Sequence, residues 1–208
     1  MEEFAYLVPG IVFGLTAGLS PGPLMTLVIS QTLKHGKMEG IKVGMAPLFT
    51  DLPIILLSVF LLSRFSGVNV MFGTISIIGG LFIGYLALES FTTRGVEPNA
   101  AKSVPSSLRK AILVNFTNPH PYIFFISVGG PIIVKGLQQG FVLPALFIVV
   151  FLSTLVVSKI VIALLADRSR SFLTGKIYLY TMKVLGIVLL VFALNFLQSG
   201  LRLLEVMI

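Results

Sequence analysis

The sequence predicts an all-α membrane protein of six transmembrane helices, arranged as two inverted three-helix repeats. Three observations carry that expectation. Charged residues are too few for a soluble domain. Six apolar stretches are long enough to cross a bilayer. Two of those stretches, the first and the fourth, are broken by matching Pro-x-Pro sequences.

The chain has 208 residues, of which 56% are hydrophobic and 11% charged. Its mean hydropathy is +1.02. A soluble domain carries roughly 25% charged residues, so the bilayer is the natural solvent for this composition. The longest polar stretch runs from about Thr92 to Ser107, too short for a separate soluble unit. Residues 1–208 therefore read as a single transmembrane domain. Cysteine is missing, which excludes disulfides, thiolate metal sites and thiol redox relays. The net charge of +7 reads as basic loops facing anionic lipid, not as nucleic-acid binding. The acidic start, Met1-Glu2-Glu3, lacks the basic n-region of a signal peptide, so the first apolar segment reads as a retained helix.

A membrane helix needs about 20 apolar residues. Six segments qualify: Phe4–Leu33, Gly40–Leu62, Val70–Phe91, Leu108–Val134, Phe141–Ala166 and Ile177–Leu197. Basic residues sort them by side. The loops after the first, third and fifth segments and their margins hold Lys34, Lys37, Lys42, Arg94, Lys102, Arg109, Lys110, Arg168, Arg170, Lys176 and Lys183. The opposite side holds only Arg64, Lys135 and Arg202. Cytoplasmic loops concentrate Lys and Arg. The rich loops are thus expected in the cytoplasm and both termini outside.

Ser20-Pro21-Gly22-Pro23 interrupts the first segment and Asn118-Pro119-His120-Pro121 the fourth. Each half (about 1–93 and about 108–208) then adds two more segments. Three spans per half is odd, so the second half lies upside down, as in many secondary transporters. Proline removes a backbone N–H and clashes with the carbonyl four residues back. The carbonyls of Ala17, Leu19, Asn115 and Thr117 are expected to lose their helical donors. Broken backbone at membrane depth survives only inside protein or beside a watery cavity. Two matched breaks therefore predict a shared binding site formed by Ser20, Pro21, Gly22, Pro23, Asn115, Asn118, Pro119, His120 and Pro121. Kinks packed by neighbouring helices are the alternative reading.

Asp51 and Lys159 lie within the second and fifth segments. A charge at bilayer depth costs roughly 2.5–3.5 kcal/mol even on the lenient insertion scale. Each should therefore face a partner or a water-filled path. Asp51 reads as a site for a cationic group or a coupling proton. Lys159 reads as its counter-ion or as a binder of a substrate carboxylate. A purely structural ion pair is the competing reading. Pro47 and Pro53 are expected to loosen the helix around Asp51. Histidine is the residue type that most readily relays protons, so His120 reads either as a proton relay or as a polar lining residue. His35 reads as solvated in its loop. No metal site is expected from two histidines and scattered carboxylates.

Gly14, Gly18 and Gly22, then Gly36, Gly40 and Gly44, then Gly80 and Gly84 recur at four-residue spacing. They read as close-packing devices, with a homodimer contact as the second reading. The phenylalanines, Phe124 and Phe125 among them, read as core or lipid-facing. A Walker loop is missing from the sequence, so no ATPase is expected.

The motif Gly18-Leu19-Ser20-Pro21-Gly22-Pro23 resembles the first-helix motif of the lysine-exporter (LysE/RhtB) family of amino-acid exporters. Asn115-Phe116-Thr117-Asn118-Pro119 is similar to that family's Asn-x-x-Asn-Pro signature. The Gly44-to-Asp51 spacing and Gly84-Tyr85-Leu86 are weaker matches. Leu24 stands where many members have Asn, and His120 where many have Lys. The resemblance covers nearly the whole chain. It implies export of amino acids or related metabolites across the inner membrane, driven by the proton-motive force, with protons as coupling ion and no cofactor. Two alternatives remain open: a cation or metal exporter of the same superfamily, and an intramembrane enzyme such as a lipid acyltransferase. The enzyme lacks a convergent acid–base set in the loops.

Single cysteines introduced at Glu2, Lys37, Lys102 and Arg170 test the orientation. A membrane-impermeant thiol reagent added outside should label only the cysteine at position 2; labelling of that site from the cytoplasm alone would invert the topology.

Overall fold

In the computed structural model, residues 2–64, 69–92, 107–168 and 176–205 are described, and no strand occurs among them. The elements are α1 (Phe4–Leu19), α2 (Pro23–His35), α3 (Lys37–Gly44), α4 (Ala46–Arg64) and α5 (Asn69–Thr92). They continue with α6 (Ser107–Thr117), α7 (Pro119–Phe124), a π-helical turn (Phe125–Gly129), α8 (Gly130–Leu137), α9 (Val142–Arg168) and α10 (Lys176–Glu205). Among the described residues, Lys37–Leu62, His120–Leu137, Val142–Arg168 and Gly186–Leu204 are long and apolar enough to cross a membrane. The α1–α2 pair, bent by 58°, makes a fifth if taken as one span. The expected segment Val70–Phe91 is helical as α5. Of the loop residues that weighed on orientation, Arg94, Lys102 and Arg170 lie outside the described residues.

The prolines act partly as predicted and partly in another way. Pro21 stands in the gap between α1 and α2, but Pro23 is the first residue of α2. Pro119 likewise opens α7, and Pro121 falls in its first turn. A proline there costs nothing, because first-turn N–H groups have no intrahelical acceptor. Each motif therefore ends one helix and starts the next. Asn118 caps the second restart, its side-chain oxygen accepting from the His120 N–H at 3.1 Å. The expectation for Asp51 needs correction as well. α4 runs unbroken through it; Pro47 sits in its first turn, and only Pro53 removes a donor, the one owed to the Phe49 carbonyl.

Glycines set how the helices pack. A Cβ on Gly14 would come 2.6 Å from the Phe151 carbonyl oxygen, and one on Gly18 2.5 Å from the Ser158 Cβ. Residue numbers rise together along this contact, so α1 and α9 run parallel. Gly80 meets Leu197 and Gly73 meets Leu204, so α5 and α10 run antiparallel. Gly40 packs on Thr32, and a Cβ on Gly44 would come 3.2 Å from the Lys159 Cβ. Gly22, Gly36 and Gly84 were misread as packing positions. A Cβ on Gly22 or Gly36 would meet nothing within 4 Å, and one on Gly84 only the Ala193 Cβ at 3.9 Å. Gly36 is needed for its φ of 89°, where the chain turns from α2 into α3.

Two apolar cores flank the broken region. One gathers Phe13, Ile54, Phe124, Phe125, Val128, Phe147 and Phe151 with side chains of α5 and α10. The other joins Met25, Val28 and Ile29 of α2 to Val43, Ala111, Ile162 and Ala163. Beside the second core, Ser107 donates its one hydroxyl proton toward Glu39 at 2.6 Å, with Gln31 at 3.1 Å. That contact ties α6 to α2 and α3. Glu39 also pairs with Lys42 at 2.6 Å.

Gly14→Ala should lower the thermal midpoint in detergent, since overpacking a tight contact costs about 1–3 kcal/mol. Gly22→Ala should leave the midpoint unchanged, and equal shifts in the two variants would contradict the packing described.

Candidate functional site

The backbone between α1 and α2 leaves an electrostatic problem. Inside a helix the Ala17 carbonyl would accept from residue 21 and the Gly18 carbonyl from residue 22. Pro21 has no N–H. Gly22 is extended, at φ −174° and ψ −177°, and turns away from the helix. Both oxygens would be left bare at the negative end of the α1 dipole. Lys159 of α9 supplies what is missing: its Nζ donates to the Ala17 carbonyl at 3.3 Å and to the Gly18 carbonyl at 3.2 Å. The parallel glycine contact between α1 and α9 holds that lysine in reach.

The second break is held from α4. The Asn115 side-chain amide donates to the Thr50 hydroxyl at 2.6 Å and to Asp51 Oδ1 at 2.9 Å. The Thr50 hydroxyl lies 3.2 Å from the same carboxylate oxygen. The Asn115 carbonyl, expected to be bare, accepts from the Asn118 N–H at 3.2 Å. Asp51, Asn115 and Lys159 are only 3–4% exposed.

Asp51 and Lys159 are therefore not the contact ion pair that the sequence suggested. Lys42 pairs with Glu39, whereas no such contact joins Asp51 to Lys159. The two buried charges lie within electrostatic reach of each other, but each is held by other groups. Each also has capacity left. A lysine ammonium has three protons and a carboxylate two oxygens. Two lysine protons and one carboxylate oxygen find protein partners among the described residues. One proton of Lys159 and Oδ2 of Asp51 do not.

Both charges face one partly open cavity of about 860 Å³, mouth included. Its lining takes in Ser20, Pro21, Gly22, Pro23, Asn115, Asn118, His120 and Pro121 together with Asp51 and Lys159. Every residue that the sequence singled out for a site is thus brought to one place, except Pro119, whose side chain is outside the described residues. Gly22 contributes space there. The His120 ring stands edge-on to Tyr85 of the Gly84-Tyr85-Leu86 sequence, with centroids 6.2 Å apart.

Of the two readings for the phenylalanines, core holds for Phe124 and Phe125, but their place on the cavity wall was not expected. Phe124 and Phe125 are buried and do not face lipid. With Phe13, Phe151 and Leu155 they form the apolar part of the cavity wall. Spacing alone does not separate a core phenylalanine from a lining one. Phe124 and Phe125 following the second break by three and four residues was the available signal.

The family model described as LysE type translocator matches residues 15–200. The chain belongs to the LysE type translocator family. The matched range contains both breaks, Asp51 and Lys159, and every lining residue of the cavity except Phe13. Comparison with curated proteins and with solved structures yields no match. The LysE family assignment makes the chain a multi-pass transport protein of the membrane.

Lys159→Met should strand the Ala17 and Gly18 carbonyls. Buried polar groups without partners cost roughly 1–3 kcal/mol, and the thermal midpoint should fall accordingly. Adding Asp51→Asn should not restore it, because the lysine's direct partners are carbonyls. Full recovery in the double variant would reinstate a simple ion pair.

Proposed function

We propose that this LysE family member is a secondary transporter that exports amino acids or related small metabolites by alternating access, driven by the proton-motive force. One observation carries the reading. A buried ammonium proton and a buried carboxylate oxygen, each without a protein partner among the described residues, face the same cavity at the two helix breaks. An amino acid carries the complementary pair. Its carboxylate can accept from Lys159, and its ammonium can donate to Asp51. Ser20, Asn118 and His120 add polar contacts on the same wall. Pro21, Gly22, Pro23 and Pro121 shape that wall, and Pro119 opens the helix that carries Pro121.

Asp51 is the only acidic side chain in the lining among the described residues. It is the group that exchanges a substrate ammonium for a proton, and so couples export to the proton gradient. Helix directions favour a six-span path of two inverted repeats. In such a path the first and fifth spans run parallel and the third and sixth antiparallel, and the glycine contacts of α1 with α9 and of α5 with α10 have those senses. The distribution of basic residues favours an inner-membrane orientation with both termini outside. The two halves then carry the site between them, near mid-membrane.

Reconstituted into liposomes, Asp51→Asn should lose uphill export driven by a pH gradient. It should keep downhill amino-acid exchange at a raised half-saturation concentration. Gradient-driven accumulation equal to that of the unmodified protein would end the coupling role.

A further inference from the structure

The cavity has two chemically different ends, and this decides which amino acids fit. The charged end holds Asp51, Lys159 and the carbonyls of Ala17 and Gly18. The other end is aromatic. Phe13 stands edge-on to Phe124, with centroids 5.3 Å apart, and Phe124 stacks on Phe151 at 5.2 Å. Phe125 closes against both at 5.1 and 5.4 Å. Phe13 precedes Ala17 by four residues, which places the aromatic level about 6 Å along α1 from the charged one. Gly14 against the Phe151 backbone puts Phe151 at that same aromatic level.

We infer that, if the site takes an amino acid as proposed above, the substrate is a neutral zwitterion with an apolar or aromatic side chain. Its ammonium and carboxylate engage Asp51 and Lys159. Its side chain extends into the pocket of Phe13, Phe124, Phe125, Phe151 and Leu155. The lengths agree: a leucine or phenylalanine side chain extends about 4–5 Å beyond its Cα, at roughly 1.5 Å per bond.

The charges agree as well. Among the described residues the lining holds one carboxylate and one ammonium, and an amino acid's own backbone groups take up both. A lysine or arginine substrate would place a second cation among phenylalanine rings with no carboxylate to receive it. Burying an unpaired ion there is costly, and a phenylalanine face returns only part of that cost. A glutamate side chain would meet the same rings with no cation at that end. Buried apolar side chains, by contrast, gain from leaving water.

Counterflow in proteoliposomes tests this with labelled alanine, leucine, phenylalanine, lysine and glutamate. Leucine or phenylalanine should exchange at least about tenfold faster than lysine and glutamate, the scale on which a pocket contact discriminates substrates. Lysine or glutamate exchange at the leucine rate would overturn this inference and leave amino-acid export standing. Exchange of none of the five would overturn both. Phe13→Trp, which fills the aromatic end, should cut phenylalanine exchange about tenfold relative to alanine exchange. An equal loss for the two would place the side chain elsewhere. If Phe13→Trp does not insert, Leu155→Phe narrows the same end and is judged by the same ratio.

Discussion

Carbonyl groups that a helix cannot satisfy, at the depth of a membrane, are the constraint from which the rest of this structure follows. The sequence Ser20-Pro21-Gly22-Pro23 deprives Ala17 and Gly18 of their donors, and the answer comes from Lys159 on a helix far along the chain. That answer requires α9 to lie against α1 closely enough for a lysine side chain to span the gap, hence the glycines between them. The second break is braced in the same manner by another helix, with Thr50 and Asp51 of α4 gripping Asn115. Each break is secured by a charged residue from outside its own segment. The cavity between the breaks follows from this cross-bracing.

The bracing also reconciles two readings that looked exclusive. Asp51 and Lys159 are structural, since each completes the hydrogen bonding of a broken backbone or of the side chain next to it. They are also chemically available, since neither exhausts its hydrogen-bonding capacity on the protein. Holding each charge on a separate support, instead of on the other, keeps both from collapsing into a contact pair. An ion pair closed on itself would offer a ligand little. Two buried charges anchored separately, with a cavity beside them, are what the proposed receptor for a molecule bearing both signs requires.

Much of this was legible from residue types alone. Proline pairs in apolar segments announced the breaks, and buried charge in a chain so poor in charge announced Asp51 and Lys159. Membrane chemistry makes such signals loud, because each is expensive unless used. Other features carried no local signature. The identity of the acceptors of Lys159 depends on which helix lies beside α9, a tertiary fact. Pro23 and Pro119 looked like disruptions, yet they are the first residues of new helices, because a proline's effect depends on its position in the turn. Gly22 shared a spacing with Gly14 and Gly18 but faces open space. The aromatic wall showed only in the closeness of Phe124 and Phe125 to the second break, because residue type does not separate a lining phenylalanine from a packed one.

The glycine contacts between α1 and α9 bear on how such a sequence can drift. At Gly18 the obstacle is largely another side chain, the Cβ of Ser158. A larger residue at 18 becomes partly tolerable once residue 158 shrinks to glycine, with the Leu155 carbonyl oxygen still 3.0 Å away, so a change at 18 depends on one at 158. At Gly14 the obstacle is the Phe151 carbonyl oxygen, part of the main chain. No exchange of side chains removes a carbonyl. Position 14 thus has no compensating partner, and of the two glycines it is the one a lineage cannot trade away while keeping its helices at this separation.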